Sequence, residues 1–140
     1  MTLSLSDLKE KLRRRVKDTS DLNYLLGEEE FTDTDLEDAL EDALAVWNEE
    51  PPLLTVYDTP DLFPWHTKLI KGAIGELYQM AAALYRRNHL SYQAGGVAVD
   101  DKDKFTEYEK IGEMYRAEFN KFVLERKREI NFRNLMGIIH

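Results

Sequence analysis

Apolar residues recur at helical spacing along most of this chain. Leu5, Leu8, Leu12 and Val16 fall three or four apart. They predict a first helix near residues 5–17, with Ser4 or Ser6 as its N-cap. A short helical turn is expected at SDLNYLLG, closed by Gly27. Thr34-x-x-Glu37 has the capping-box pattern. Behind it, Leu36, Leu40, Ala43, Leu44 and Trp47 lie within about 100° of one another on a helical wheel. Asp38, Glu41, Asp42 and Glu49 point the other way. Pro51-Pro52 ends this second helix. LLTVYD is short, apolar and β-branched, which predicts extended chain or a lone strand.

A long helix is expected from about Pro64, a good first-turn residue, to about His89, with Asp61 just upstream. Its apolar seam is Ile70, Ala73, Ile74, Leu77, Ala81 and Leu84. The opposite face holds Gly72, Gly75, Gln79, Ala82 and Ala83, with Lys68 and Arg86 only at the ends. A solvated face is normally charged throughout. Each interior glycine costs about 1 kcal/mol of helix propensity, so close approach by another helix is the expected compensation. This helix is therefore expected to be packed on both sides, centrally in the bundle or against a neighbouring subunit. Gly72, Gly75, Gln79 and Ala82 are candidate subunit-interface residues.

A last helix is expected over about 103–128. Phe105, Tyr108, Gly112, Tyr115, Phe119 and Phe122 alternate steps of three and four, and Ile111 and Val123 widen the seam. Between the two long helices lies SYQAGGVAVDDKDK, an extended loop over 91–102. Val97-Ala98-Val99 alternates like a strand, and Asp100 to Asp103 can cap the next helix. It reads as a projecting turn, so Gly95, Gly96, Val97 and Val99 join the candidate subunit interface. The tail INFRNLMGIIH carries Ile130, Phe132, Leu135, Met136, Ile138 and Ile139, more apolar surface than a free terminus needs. The predicted fold is all-α: a bundle of about four helices with a long antiparallel helix pair. It divides into a helical-bundle domain, residues 1–128, and a docking tail, residues 129–140.

Composition narrows the class. The chain has 140 residues, 43% hydrophobic and 33% charged, with no cysteine. That is a globular composition, long enough to bury roughly 68% of the unfolded surface. The longest stretch without Asp, Glu, Lys or Arg is Asn88 to Val99, well short of a membrane span of ~18 residues. The charges of MTLSLSDLKEKLRRR follow its leucines rather than precede an apolar run, so a secretory leader is not expected. The absence of cysteine excludes disulfides and thiolate metal sites. The formal net charge is −8, and residues 28–61 hold thirteen acidic and no basic side chains. Such a block repels polyanions and argues against nucleic-acid binding by the domain as a whole.

The search for chemistry finds little. His66, His89 and His140 stand in no metal-ligand spacing and read as surface or capping residues. Glu76 is the only acid in the middle of the long helix, where an ion pair with Lys104 or Arg116 is expected. The two glycines of the loop are not followed by Gly-Lys-Ser/Thr, so it is not a phosphate loop. Reading Asp101, Asp103 and Phe105 as calcium-loop positions one, three and five puts Gly112 where a bidentate Glu belongs. Arg13-Arg14-Arg15 and Arg126-Lys127-Arg128 wrap around their helices, as solvated helix ends do. Their sharper reading is docking on an acidic surface, such as the second helix of a neighbouring copy. No catalytic residue, metal or cofactor is expected.

The chain resembles the head–tail connector, or neck adaptor, proteins of tailed bacteriophages. The resemblance is carried by HTKLIKGAIGELYQMAAALYRRN, LSYQAGGVAVDDKDK, FTEYEKIGEMYRAEFNKFVLERKR and INFRNLMG. LSDLKEKLRRRV and TDTDLEDALEDALAVWN fit the short opening helices of that family, while LLTVYDTPDLFPWH has no counterpart. The resemblance implies a structural virion protein without enzyme activity, made in the host cytoplasm. It implies a homo-oligomeric ring, often twelvefold, between the portal protein and the tail or a second neck protein, with double-stranded DNA passing through. It also implies portal docking by the tail: Ile130, Phe132, Arg133, Leu135, Met136, Ile138 and Ile139. An acidic lumen lets DNA slide without sticking, so Asp38, Glu41 and Asp42 are expected to face the channel. The alternative reading is a small acidic regulator that occupies a basic partner site in the manner of a DNA mimic.

Overall fold

The computed structural model describes residues 3–16, 31–51, 55–94 and 102–135. Four α-helices account for nearly all of them: α1 (Leu5–Arg15), α2 (Asp33–Glu49), α3 (His66–Ala94) and α4 (Lys102–Leu135), with a 3-10 turn at Pro60–Leu62 before α3. No strand occurs among the described residues. The all-helical bundle read from the sequence is the fold.

Local chemistry sets each helix start. Ser4 caps α1: its hydroxyl accepts from the Asp7 N–H, and the Asp7 carboxylate accepts from the Ser4 N–H. Thr32 and Asp35 make the same reciprocal box at α2. The start of α2 is thus two residues before the one expected from Thr34-x-x-Glu37. The earlier start places Asp33 in the first turn, where the helix dipole favours an acid and where Arg13 reaches it at 3.2 Å. The Arg13 guanidinium is buried and also donates to the Phe31 carbonyl at 2.7 Å. One arginine of the first basic triplet therefore joins α1 to the head of α2 within the chain. The helical turn expected at SDLNYLLG lies outside the described residues.

LLTVYD forms neither a strand nor a free loop in its described part. Asn48 of α2 clamps Tyr57 from both sides: its amide donates to the Tyr57 carbonyl at 2.8 Å, and its Oδ1 accepts from the Tyr57 N–H at 3.0 Å. The Trp47 indole donates to the Thr55 carbonyl at 2.6 Å. A helix side-chain pair thus satisfies the backbone that a neighbouring strand would otherwise satisfy. The chain then turns through buried Pro60 and Phe63 into α3, which starts at His66 rather than Pro64. The His66 ring lies 3.2 Å from the Asp61 carbonyl, a local role at the helix start.

The core joins all four helices. Leu8 and Leu12 of α1, Leu36, Leu40, Ala43, Leu44 and Trp47 of α2, Leu69, Ile70, Ala73, Ile74 and Leu77 of α3, and Phe119 and Val123 of α4 are buried together. α3 is the central helix: it packs against α1, α2 and α4, and α2 also touches α4. Leu84, expected in the α3 seam, is exposed. The long helices also extend further than the apolar pattern predicted. α3 runs to Ala94, so residues 91–94 belong to it and not to an extended loop. Gly95, Gly96, Val97 and Val99 lie outside the described residues. α4 runs seven residues past Arg128, so the boundary expected at 128/129 falls inside a continuous helix.

Candidate functional site

The small-residue face of α3 is the first candidate surface, and it is used inside the chain. A Cβ on Gly75 would stand 3.1 Å from the Arg116 backbone nitrogen and 3.2 Å from the Gly112 carbonyl oxygen. A Cβ on Gly112 would meet the Gly75 carbonyl oxygen at 3.1 Å. These two glycines let the α3 and α4 backbones approach, and Gly72 makes room for the Phe119 ring. Gln79 donates to the Glu109 carbonyl at 3.3 Å, and Ala82 is buried. The reading of Gly72, Gly75, Gln79 and Ala82 as a subunit interface is therefore corrected. The close partner they require is α4 of the same chain, because a backbone already in van der Waals contact leaves no room for a second helix.

Partner numbers along this contact fall on α4 as they rise on α3. Lys68 stacks on Phe122, Gly72 meets Phe119, Gly75 meets Arg116 and Gly112, and Gln79 meets Glu109. Tyr78 lies between Tyr108 and Tyr115, parallel to the latter. Arg86 pairs with Glu109. Glu76 takes Arg116, an expected partner, through both oxygens, at 3.0 and 2.9 Å.

The acidic side of α2 adjoins that pair. Asp38, Glu41 and Asp42 are exposed. Burial, and then the charges of Glu76 and Asp38, hold the Asp42 carboxyl above its ordinary value, against the opposing pull of Arg116. The Arg116 guanidinium is pushed further up, chiefly by its hydrogen bond to Glu76. Like charges thus crowd where α2 meets α3, and a single half-exposed arginine offsets them.

The largest feature that the helical pattern does not reveal is an aromatic cluster at the other end of the α3–α4 contact. Trp47 lies 5.2 Å from both Phe63 and Trp65 and 6.1 Å from Phe122, centroid to centroid. Tyr57 stands edge-on to Phe63 at 5.4 Å. Two cations of the second basic triplet cover it. Arg126 lies 4.8 Å over the Trp65 ring, and the buried Lys127 ammonium lies 4.7 Å over Trp47. Desolvation lowers the Lys127 pKa, opposed by the charge of Glu50. These are not solvated helix-end charges: the middle residue of the triplet is core. The sequence signal was the density of aromatic residues from Trp47 to Trp65.

Beyond this cluster α4 continues to Leu135. Ile130 is half-buried against the core, so it is not a free docking residue. Phe132 is 59% exposed and Leu135 is 78% exposed. Arg133 pairs with Glu129 at 2.7 Å. Met136, Ile138 and Ile139 lie outside the described residues. From Lys127 to Leu135 the helix rises about 12 Å past the aromatic cluster. At the same end, the clamped connection presents Val56, 53% exposed, and Leu62, 54% exposed.

Among the described residues no group of three or more His, Asp or Glu is placed to hold a metal ion, and no helix is long and apolar enough to cross a membrane. Comparison with family models, curated proteins and solved structures finds no match for this chain.

Proposed function

We propose that this protein is a structural component of a tailed-bacteriophage neck, a homo-oligomeric ring between portal and tail through which double-stranded DNA passes. The head–tail setting comes from the resemblance of the long helix pair and its flanks. The observation on the molecule that carries the reading is the end of α4. The last turn of α4, after Ile130, holds Phe132 and Leu135 in water. Apolar side chains on a projecting helix gain stability only when a partner covers them. In this reading the C-terminal end of α4 and the segment after it dock on other neck components, the portal among them. The clamped 55–65 connection and the glycine-tight α3–α4 pair supply a stiff protomer, as an assembly unit needs.

The exposed row Asp38, Glu41 and Asp42 faces the channel in this proposal, where it neutralises no phosphate and lets DNA slide. A ring map with that row on the outer rim would remove this part. Immunogold labelling with an antibody to the chain tests the location. Gold at the head–tail junction of virions is expected; virions that carry no chain would overturn the proposal.

A second reading, an acidic regulator that occupies a basic partner site, draws on the same row and on the acid-only stretch 28–61. It requires a monomer or dimer whose binding is lost when Asp38 and Glu41 are changed to Lys. In the neck reading those changes leave assembly intact.

A further inference from the structure

The bundle end beside the aromatic cluster carries two exposed surfaces of opposite character. One is on α4. Lys121, Leu124, Arg128, Phe132 and Leu135 recur at steps of three and four, so they share one side of the helix within about 80°. All five are exposed. The α4 residues packed in the core, Gly112, Phe119 and Val123, lie on the opposite side, so this stripe points away from α3. It is apolar with two cations, and Glu125 borders it.

The other surface is the clamped connection. Val56 and Leu62 protrude from backbone held by Asn48, Trp47 and the 3-10 turn. The charged residues near them in the chain, Glu49, Glu50, Asp58 and Asp61, are all acidic. The 3-10 turn packs on α1 and α2. An apolar patch with acidic neighbours in the chain and a separate apolar stripe with Lys121 and Arg128 thus lie at the same end of the bundle, beside the aromatic cluster.

We propose that the outward stripe of α4 seats on the Val56–Leu62 knob of a neighbouring copy of this chain. The inference rests on the ring reading and names the contact that closes the ring. A head-to-tail ring requires two different, complementary surfaces on each copy. The two surfaces match apolar to apolar and cation to carboxylate. The knob is already ordered, so little further entropy is lost when it is covered. The exposed end of α4 then serves the neighbouring copy, and the portal contact is left to the segment after Leu135.

Charge-swapped full-length chains test the pairing. One variant carries Glu49→Lys and Asp58→Lys, the other Lys121→Glu and Arg128→Glu. All four positions are exposed, and helical circular dichroism checks that each variant folds. In sedimentation velocity, each variant alone is expected to associate at least about tenfold more weakly than the natural chain. An equimolar mixture is expected to recover association, because each reversed surface then meets its complement. Wild-type assembly with both variants assembling equally well would overturn this interface and leave the ring reading standing. So would an α4 variant that forms rings but no longer binds portal, which would assign the stripe to the portal. A natural chain that stays monomeric with portal present would overturn both.

Discussion

Replacing Gly75 with Ala tests whether the glycine face is consumed within the chain. Two effects oppose each other. Alanine gains about 1 kcal/mol of helix propensity at an interior position. Its methyl group would also sit 3.1 Å from the Arg116 nitrogen, 3.2 Å from the Gly112 oxygen and 3.2 Å from the Tyr115 Cβ. Two of those atoms are backbone, so relief requires α4 to move as a unit and disturbs Glu76–Arg116 and Gln79–Glu109 on either side. Overpacking of this kind costs about 1–3 kcal/mol. The net expectation is a loss of about 1 kcal/mol, roughly 3–4 °C in Tm for a chain of this size. Gly75→Val adds two more carbons to the same space and should lose more than about 3 kcal/mol. Urea denaturation followed by circular dichroism at 222 nm reads both. The oligomeric state should not depend on either change apart from its dependence on folding. If Gly75→Ala stabilised the chain by the full 1 kcal/mol, the helices would not meet at that point. The face would then be open to a second subunit after all.

Substitutions at three further positions probe the polar framework. Asp42 has a raised carboxyl pKa, so its contribution to stability is complete below its ordinary value of 3.8 and is lost as pH rises through the raised value. Asp42→Asn should therefore melt higher than the natural chain at pH 7 and equally at pH 3; a gain that grows in acid would contradict this. Asn48→Ala removes both bonds to the Tyr57 backbone and should cost about 2 kcal/mol in denaturant titration, with faster amide exchange at Tyr57. Lys127→Ala leaves a void against Trp47 and should cost about 2–4 kcal/mol, while Lys127→Met, which keeps the stem, should retain most of that stability. Equal losses for the two would mean that the charge, not the packing, matters there.

The helical periods were legible because each helix of this bundle has an inside and an outside. Leu36 to Trp47 and Ile70 to Ala81 read directly as buried faces. The glycine face of α3 was legible as a demand for close packing but not as to its source, since α4 and a foreign helix impose the same requirement. Helix ends were the weaker part. Arg128 looked like a terminus because basic residues favour the last turn of a helix. Yet Arg126 and Lys127 serve the aromatic cluster, and Glu129 pairs with Arg126 and Arg133 to carry α4 onward. The capping box read at Thr34 lies instead at Thr32, a start favoured by Arg13, eighteen or more residues away in sequence. The clamp of Asn48 on Tyr57 joins positions with no periodic relation, so no pattern of apolar spacing could announce it.

Native mass spectrometry of the full chain, alone and mixed with the portal protein of the same virus, tests the central proposal most directly. The account predicts a single closed-ring stoichiometry that forms on, or is strengthened by, the portal. A chain that remains monomeric beside portal at all accessible concentrations would contradict it.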